Sequence, residues 1–247
     1  MLKGIDEISL WKFKHIIDEK EWGKSNSTVS DFHNHDAAAG LMEGRATGAY
    51  AYECMMVSNK SNHIHALNKI KLMDCVISFL GEGRILNLIQ TFILQPGTFE
   101  HDSSIQWFLT YNQVNRNLLN FKRKINEILD DQAFWPINAK NRKILNVDEK
   151  NKVLVVERSS KNNTYIIVMN MAPWLLYKYK VGVRGKNNFQ LIFSGDKFEY
   201  AGFGINTEEN RVFTNKESFN FELLDREIEL ENLPPYGILI FREIKNE

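Results

Sequence analysis

The texture of the chain changes just after Trp135-Pro136, and that change limits the folds open to it. Downstream, short β-branched or aromatic runs follow one another: Lys152 to Glu157, Thr164 to Met169, Tyr177 to Val183, Asn188 to Phe193, Arg211 to Phe213, Ser218 to Leu223 and Ile238 to Phe241. Clusters of Asn, Gly, Lys and Pro separate them, and those residues form turns between strands. Strand after strand with no helical period between them predicts an antiparallel β-sandwich. The boundary falls near residues 135–145, giving a first region over 1–138 and an all-β region over 139–247.

Upstream the pattern is helical. Ile8, Trp11, Phe13, Ile16 and Ile17 suit a short amphipathic helix ending near Trp22-Gly23. Val29 to Phe32 reads as a brief strand delivering His33-Asn-His-Asp36 into a loop, and the Ala- and Gly-rich stretch from Ala37 to Met56 as irregular. Leu67, Ile70, Lys71, Asp74, Val76, Ile77 and Leu80 predict a helix from Ile64 to Leu80, ended by Gly81-Glu82-Gly83. The apolar run Ile85 to Leu94 suits a buried parallel strand. Leu109 to Leu129 is a second long helix, with Leu118, Leu119, Phe121, Ile125, Ile128 and Leu129 on its buried side.

Thirty-one basic residues balance thirty-one acidic ones. No global field therefore favours nucleic acid or an anionic membrane, and a neutral sugar or polyol is a compatible partner. Cys54 and Cys75 do not make a disulfide framework, so a reducing, cytoplasmic setting is expected. The sequence has no apolar run of membrane-spanning length and no signal-peptide core at its start. Asn26, Asn59 and Asn162 stand in glycosylation sequons that such a setting makes coincidental.

Several stretches, in order, carry a resemblance. His35-Asp36 stands in a loop, Gly81-Glu-Gly-Arg-Ile-Leu-Asn-Leu88 leads into an apolar run, and Pro96 follows it. Tyr179-Lys-Val-Gly-Val183, Ser194-Gly-Asp-Lys-Phe-Glu-Tyr-Ala-Gly-Phe-Gly204 and Leu233-Pro-Pro-Tyr236 come later. This series resembles the C-terminal part of 1,4-alpha-glucan branching enzymes of the α-amylase superfamily, over residues 5–242 here. The resemblance implies an α+β fold: a partial (β/α)-barrel, its last strands and helices, followed by a C-terminal antiparallel β-sandwich. It implies glycogen or starch synthesis, an α-glucan partner and no cofactor. Asp36 matches the family's transition-state-stabilising aspartate, and His35 its hydroxyl-contacting histidine.

The departures matter as much. Where the family has Gly-Asn-Glu-Phe-Gly, this chain has Gln90-Thr91-Phe92-Ile93-Leu94, and Ala37 to Glu43 replaces Gln-Ala-Leu-Val-Gly-Asp-Lys. Both exchanges remove groups that would hydrogen-bond a glucose ring. Retaining transfer needs a nucleophile and a general acid/base carboxyl, and no residue here matches either. The 247 residues alone are therefore expected not to branch glucan. An incomplete barrel leaves strand edges unpaired. Either a second polypeptide supplies the missing strands, or the remnant has repacked, as the apolar Phe92 to Leu94 favours.

The plainer readings weigh against other candidate residues. His33 with His35, or His63 with His65, lack the surroundings of a metal site, and none is expected. Glu82 reads as a solvated carboxylate in a turn, and Glu100, His101 and Asp102 as a polar loop. Trp107, Trp135 and Trp174 have faces suited to a sugar ring, although burial is the commoner fate of tryptophan. The alternatives to a branching-enzyme-like protein are a non-catalytic glucan-binding or scaffold protein derived from it, and a decayed piece with no selected role.

Overall fold

The structure, a computed structural model, describes residues 9–12, 14, 63–80, 89–96, 104–135, 141–205, 208–218, 220–221 and 224–245. Among the described residues, after the helical positions 10–12 and 14, come the helices α1 (His63–Leu80), the single turn α2 (Ile89–Phe92) and α3 (Gln113–Leu129). Short 3-10 helices at Trp107–Tyr111 and Gln132–Phe134 precede and follow α3. Nine strands follow: β1 (Arg142–Asp148), β2 (Val153–Ser159), β3 (Thr164–Asn170), β4 (Leu176–Val183), β5 (Phe189–Ser194), β6 (Val212–Phe213), β7 (Lys216–Glu217), β8 (Arg226–Leu233) and β9 (Ile238–Glu243). They form a six-stranded sheet ordered β1-β2-β3-β9-β5-β6 and a three-stranded sheet ordered β4-β8-β7. Every recorded strand pair is antiparallel.

The molecule has three layers, because the large sheet is covered on both faces. Val153, Val155, Ile166, Val168, Leu239 and Phe241 point toward the small sheet, into a core they share with Val181, Val183, Ile228 and Leu230. Their neighbours Leu154, Val156, Ile167, Met169, Ile238 and Ile240 point the other way, against Leu72, Phe79 and Phe121 of the helices. Burial on both faces explains why β2, β3 and β9 read as unbroken apolar runs rather than alternating ones. In β5 the register shifts between Leu191 and Phe193. The shift turns Phe193 to the helix side, whereas Phe189 and Leu191 face the small sheet.

Most of the predicted elements are present. The first helix spans His63–Leu80 rather than 64–80 and is buried at twelve of its positions. Its apolar character runs around most of the cylinder, as suits a helix packed on more than one side. Two expectations are corrected. The described end of the Ile85–Leu94 run is the helical turn α2, not a strand, and Leu94 then takes a left-handed backbone conformation. A short buried apolar run has no periodicity to separate the two. The strand placed at Ser218–Leu223 is instead the two-residue β7 just before it, and β1 and β8 were not foreseen. In β8, Arg-Glu-Ile-Glu-Leu-Glu-Asn-Leu alternates apolar residues with glutamates that strands disfavour. The strands expected of the partial barrel, at Val29–Phe32 and over 85–88, fall outside the described residues. The early helix, the Val29–Phe32 strand and the 37–56 segment lie largely or wholly outside the described residues. No helix of the described residues is long and apolar enough to cross a membrane.

Polar side chains join the helices to the large sheet. Lys71 of α1 is buried, and its Nζ donates to the carbonyls of Gly195 at 2.7 Å and Tyr200 at 2.9 Å. At the end of α1, where the last carbonyls lack partners within the helix, Arg142 donates to Leu80 O and Arg158 to Phe79 O. Arg158, only 1% exposed, also donates to Ala133 O at 3.0 Å. Both arginines are cations at a helix C-terminus, the favourable end for positive charge. Asp74 of α1 pairs with Lys122 of α3 at 2.7 Å.

Candidate functional site

Asp36 and His35, together with His33, Glu82, Glu100, His101 and Asp102, lie outside the described residues. Of the other histidine pair, His65 meets the rings of Phe203 and Tyr236 edge-on, at 5.8 and 5.5 Å. Burial first, and then the Lys69 charge, hold its imidazole below the usual histidine range. Among the described residues no cluster of three or more His, Cys, Asp or Glu could hold a metal ion. The chemistry-bearing groups that are described sit in two places: the helix–sheet joint and an aromatic surface.

The joint is built around the loop after β5. Asp196 is buried, and its carboxylate accepts from Phe203 N at 3.0 Å and Ile205 N at 2.6 Å. Gly202 passes so close that a Cβ there would stand 2.1 Å from the Asp196 carbonyl oxygen. This is the physical content of the Ser194–Gly204 stretch: an aspartate that ties the loop, and a glycine where only a hydrogen fits. Burial brings the Lys71 amine down to about 7, opposed by the charges of Asp196 and Cys75. Burial pushes the Cys75 thiol up. Lys71 also lies over the Phe121 ring at 5.7 Å. The group is enclosed and positions the loop; it has no open face for a substrate.

The aromatic surface begins on the 3-10 helix Trp107–Tyr111. Three residues make one turn of such a helix, so residues three apart share a face. Leu109 faces inward, against the cluster of Leu67, Ile70, Phe92 and Leu118. The other two faces point out and carry Trp107, 54% exposed, and Phe108 with Tyr111, 60% and 82% exposed. Hydrogen bonds fix the segment at both ends. Gln106 N donates to the Gln95 side chain at 3.1 Å, and Thr110 Oγ1 donates to Trp107 O at 2.7 Å. Arg116 donates to the carbonyls of Thr110 and Tyr111, and Asn112 caps α3 by accepting from Val114 N at 2.9 Å. One step further along α3, Asn117 donates to the carbonyl oxygen of exposed Phe198 at 2.7 Å.

Trp135 and Trp174 are also partly open, at 46% and 40%. Burial, the commoner fate expected for the tryptophans, therefore does not hold for Trp107, Trp135 or Trp174. Trp135 is turned so that its indole N–H donates to Asp130 O at 3.0 Å. Phe108, Tyr111 and Phe198 were not singled out from the sequence. The signal that could have found them is charge: from Ser104 to Asn117 the only charged side chain is Arg116, in a chain that is 25% charged.

With this geometry in view, the relatives can be placed. Residues 144–243 match the family described as the alpha amylase C-terminal all-beta domain. A 1,4-alpha-glucan branching enzyme of Vibrio parahaemolyticus is 25% identical over 65% of this chain and 21% of its own length. One from Deinococcus radiodurans is 21% identical over 66% of this chain and 23% of its length. One from Francisella tularensis is 26% identical over 66% of this chain and 26% of its length. The chain thus spans no more than 26% of these relatives. Among solved structures, the α-amylase of H. orenii superposes with a TM-score of 0.55 at 17% identity, over 95% of this chain and 44% of that one. The α-amylase of Geobacillus thermoleovorans gives 0.56 at 10% identity, over 100% of this chain and 46% of the other. The shared fold therefore includes the helical layer as well as the sheets. Residues 144–243 thus match the alpha-amylase C-terminal all-beta domain, and the chain is similar at low identity to 1,4-alpha-glucan branching enzymes.

Proposed function

We propose that this protein is a 1,4-alpha-glucan branching enzyme-like protein of glycogen or starch metabolism whose partner is an α-glucan. The observation that carries this reading is the joint match of residues 144–243 to the alpha-amylase C-terminal domain and of the chain to branching enzymes. In this reading Asp36 stabilises the positive charge that develops on the sugar ring, and His35 donates to a sugar hydroxyl. Retaining transfer needs a nucleophile and an acid/base besides, and no residue of the 247 matches either. Loss of such members costs orders of magnitude in rate. Branching would thus require two carboxylates from elsewhere, such as a second polypeptide carrying the other barrel strands.

One observation favours the alternative, a non-catalytic glucan-binding or scaffold protein derived from the enzyme. Where the family resemblance calls for a polar loop, Gln90, Thr91, Phe92 and Ile93 are buried, with Phe92 and Ile93 in the core against Leu67 and Ile70. A segment committed to packing is not available to a sugar. Incubating the purified chain with amylose and following the iodine complex tests the reading. The long-wavelength absorbance is expected to stay unchanged, while glycogen in a native gel is expected to retard the protein. A fall in absorbance that survives Asp36→Ala would overturn the expected inactivity, and unretarded migration would remove the α-glucan partner.

A further inference from the structure

We propose that the face formed by Trp107, Phe108 and Tyr111 is a binding surface for a single α-glucan chain. The inference rests on the proposed α-glucan partner and assigns it a place. Large aromatics gain by burial, so three of them held open on one five-residue segment call for an occupant. Two properties of the face indicate which. The first is rigidity: hydrogen bonds from Gln106, Thr110 and Arg116 hold the segment from both ends. Leu109 anchors it in the core. Bound ligand therefore orders little that is loose.

The second is the polar complement. Gln113 and Asn117 are bonded to each other at 2.6 Å, and Asn112 lies beside them at the start of α3. The one charged side chain between Ser104 and Asn117, Arg116, is engaged with backbone carbonyls. A surface for another protein ordinarily has a rim of charges; this one offers amides and flat rings. A neutral pyranose chain presents the matching chemistry, with C–H faces that lie on aromatic rings and hydroxyls that exchange hydrogen bonds with amides. In a 3-10 helix Phe108 and Tyr111 are eclipsed one turn apart, about 6 Å along the axis. They can meet successive residues of one extended chain while Trp107 covers its flank.

Native electrophoresis through gels containing glycogen, with the full chain, tests the assignment. Trp107→Ala combined with Tyr111→Ala is expected to weaken retention about tenfold, as the loss of two ring contacts implies. Trp174→Ala, on the β-domain, is expected to leave it unchanged. If the wild type is retained and the double variant is retained equally, the surface assignment is overturned while the α-glucan partner stands. If the wild type is not retained at all, both fall. Gel filtration of the same proteins addresses a rival occupant: a wild-type dimer that the double variant converts to monomer, with glycogen retention unchanged, would make the face a self-association surface and overturn the proposal. Trp107→Phe keeps a flat ring, and it is expected to keep retention while losing most of the tryptophan fluorescence change on adding maltoheptaose. An undiminished change would place the sugar elsewhere.

Discussion

The two faces of the large sheet are buried by different means. Toward the small sheet the cluster is formed by Val155, Val168, Leu191, Ile228, Leu230 and Phe241, with buried Glu157 next along β2 on the same face. Toward the helices the apolar cluster is crossed by Lys71, Asp74 and Arg158, all buried and all engaged. The first face is assembled mainly by strand alternation, with Glu157 paired to Lys143 at its edge. The second must hold helices at one position on a sheet that would accept them at several. Hydrogen bonds from Lys71 to Gly195 and Tyr200, and from Arg158 to Phe79 and Ala133, supply that position. Apolar contact sets how strongly the layers adhere, and the polar contacts set where.

The largest expected effects test whether the two faces belong to one cooperative unit. Phe79 is fully buried and packs on Phe134 at 5.2 Å; Phe241 is fully buried and meets Phe213 edge-on at 5.2 Å. Replacing either by alanine is expected to cost about 3–5 kcal/mol. The helix-side cluster contains residues of both the helices and β2, β3, β5 and β9, so both variants should lower one shared transition in urea. Far-ultraviolet circular dichroism and tryptophan fluorescence should then give coincident curves. Separate transitions, with Phe79→Ala moving only the helical one, would make the helical layer an independent unit.

The same contrast governs what the sequence disclosed. Strands buried on both faces announce themselves as apolar runs, and β2, β3 and β9 were legible for that reason. β8 was not, because its exposed positions carry Glu229 and Glu231, which reads as a solvated segment until Lys180 and Arg211 are brought beside it. The joint was invisible for a related reason. Lys71 and its acceptors lie 124 and 129 positions apart, and no local pattern encodes such a pairing. Lys71 was noticed only as a member of a helical stripe. The family resemblance marked Ser194–Gly204 without explaining it, and Asp196 tying the loop beneath Gly202 gives the reason. Of the candidate sites, the tryptophans were legible as residue types, but their exposure depends on a 3-10 turn that sequence periodicity does not resolve.

A smaller effect sharpens the difference between the faces through pH. The buried Lys71 amine is brought down to about 7 from 10.5. Between those values the unfolded chain carries a proton that the folded chain has shed, so raising the pH favours folding. Stability is expected to climb above pH 7 with a slope approaching about 1.4 kcal/mol per pH unit. Cys75, whose thiol burial pushes up, works in the opposite sense once unfolded thiols ionise at about 8.5. Asp196, the nearby charge, opposes the depression of Lys71. The informative window is therefore pH 7 to about 8.5. Lys71→Met is expected to flatten the curve there, measured by urea midpoints across that range. Parallel slopes in both proteins would show that the amine stays charged in the folded chain.

The smallest expected effect is the one that separates packing from recognition. Trp107 and Tyr111 lie outside both faces of the sheet, 54% and 82% exposed, and the main chain beneath them is held by Gln106, Thr110 and Arg116 rather than by their rings. Truncating exposed side chains of this kind ordinarily changes stability by no more than about 0.5 kcal/mol. Trp107→Ala and Tyr111→Ala should therefore melt within a few degrees of the parent, whereas Phe79→Ala melts far below it. A loss of about 2 kcal/mol or more, beyond what surface substitutions give, would mean that these rings are part of the fold after all. Their exposure would then owe nothing to a bound chain, and the contrast would become one between three packed regions.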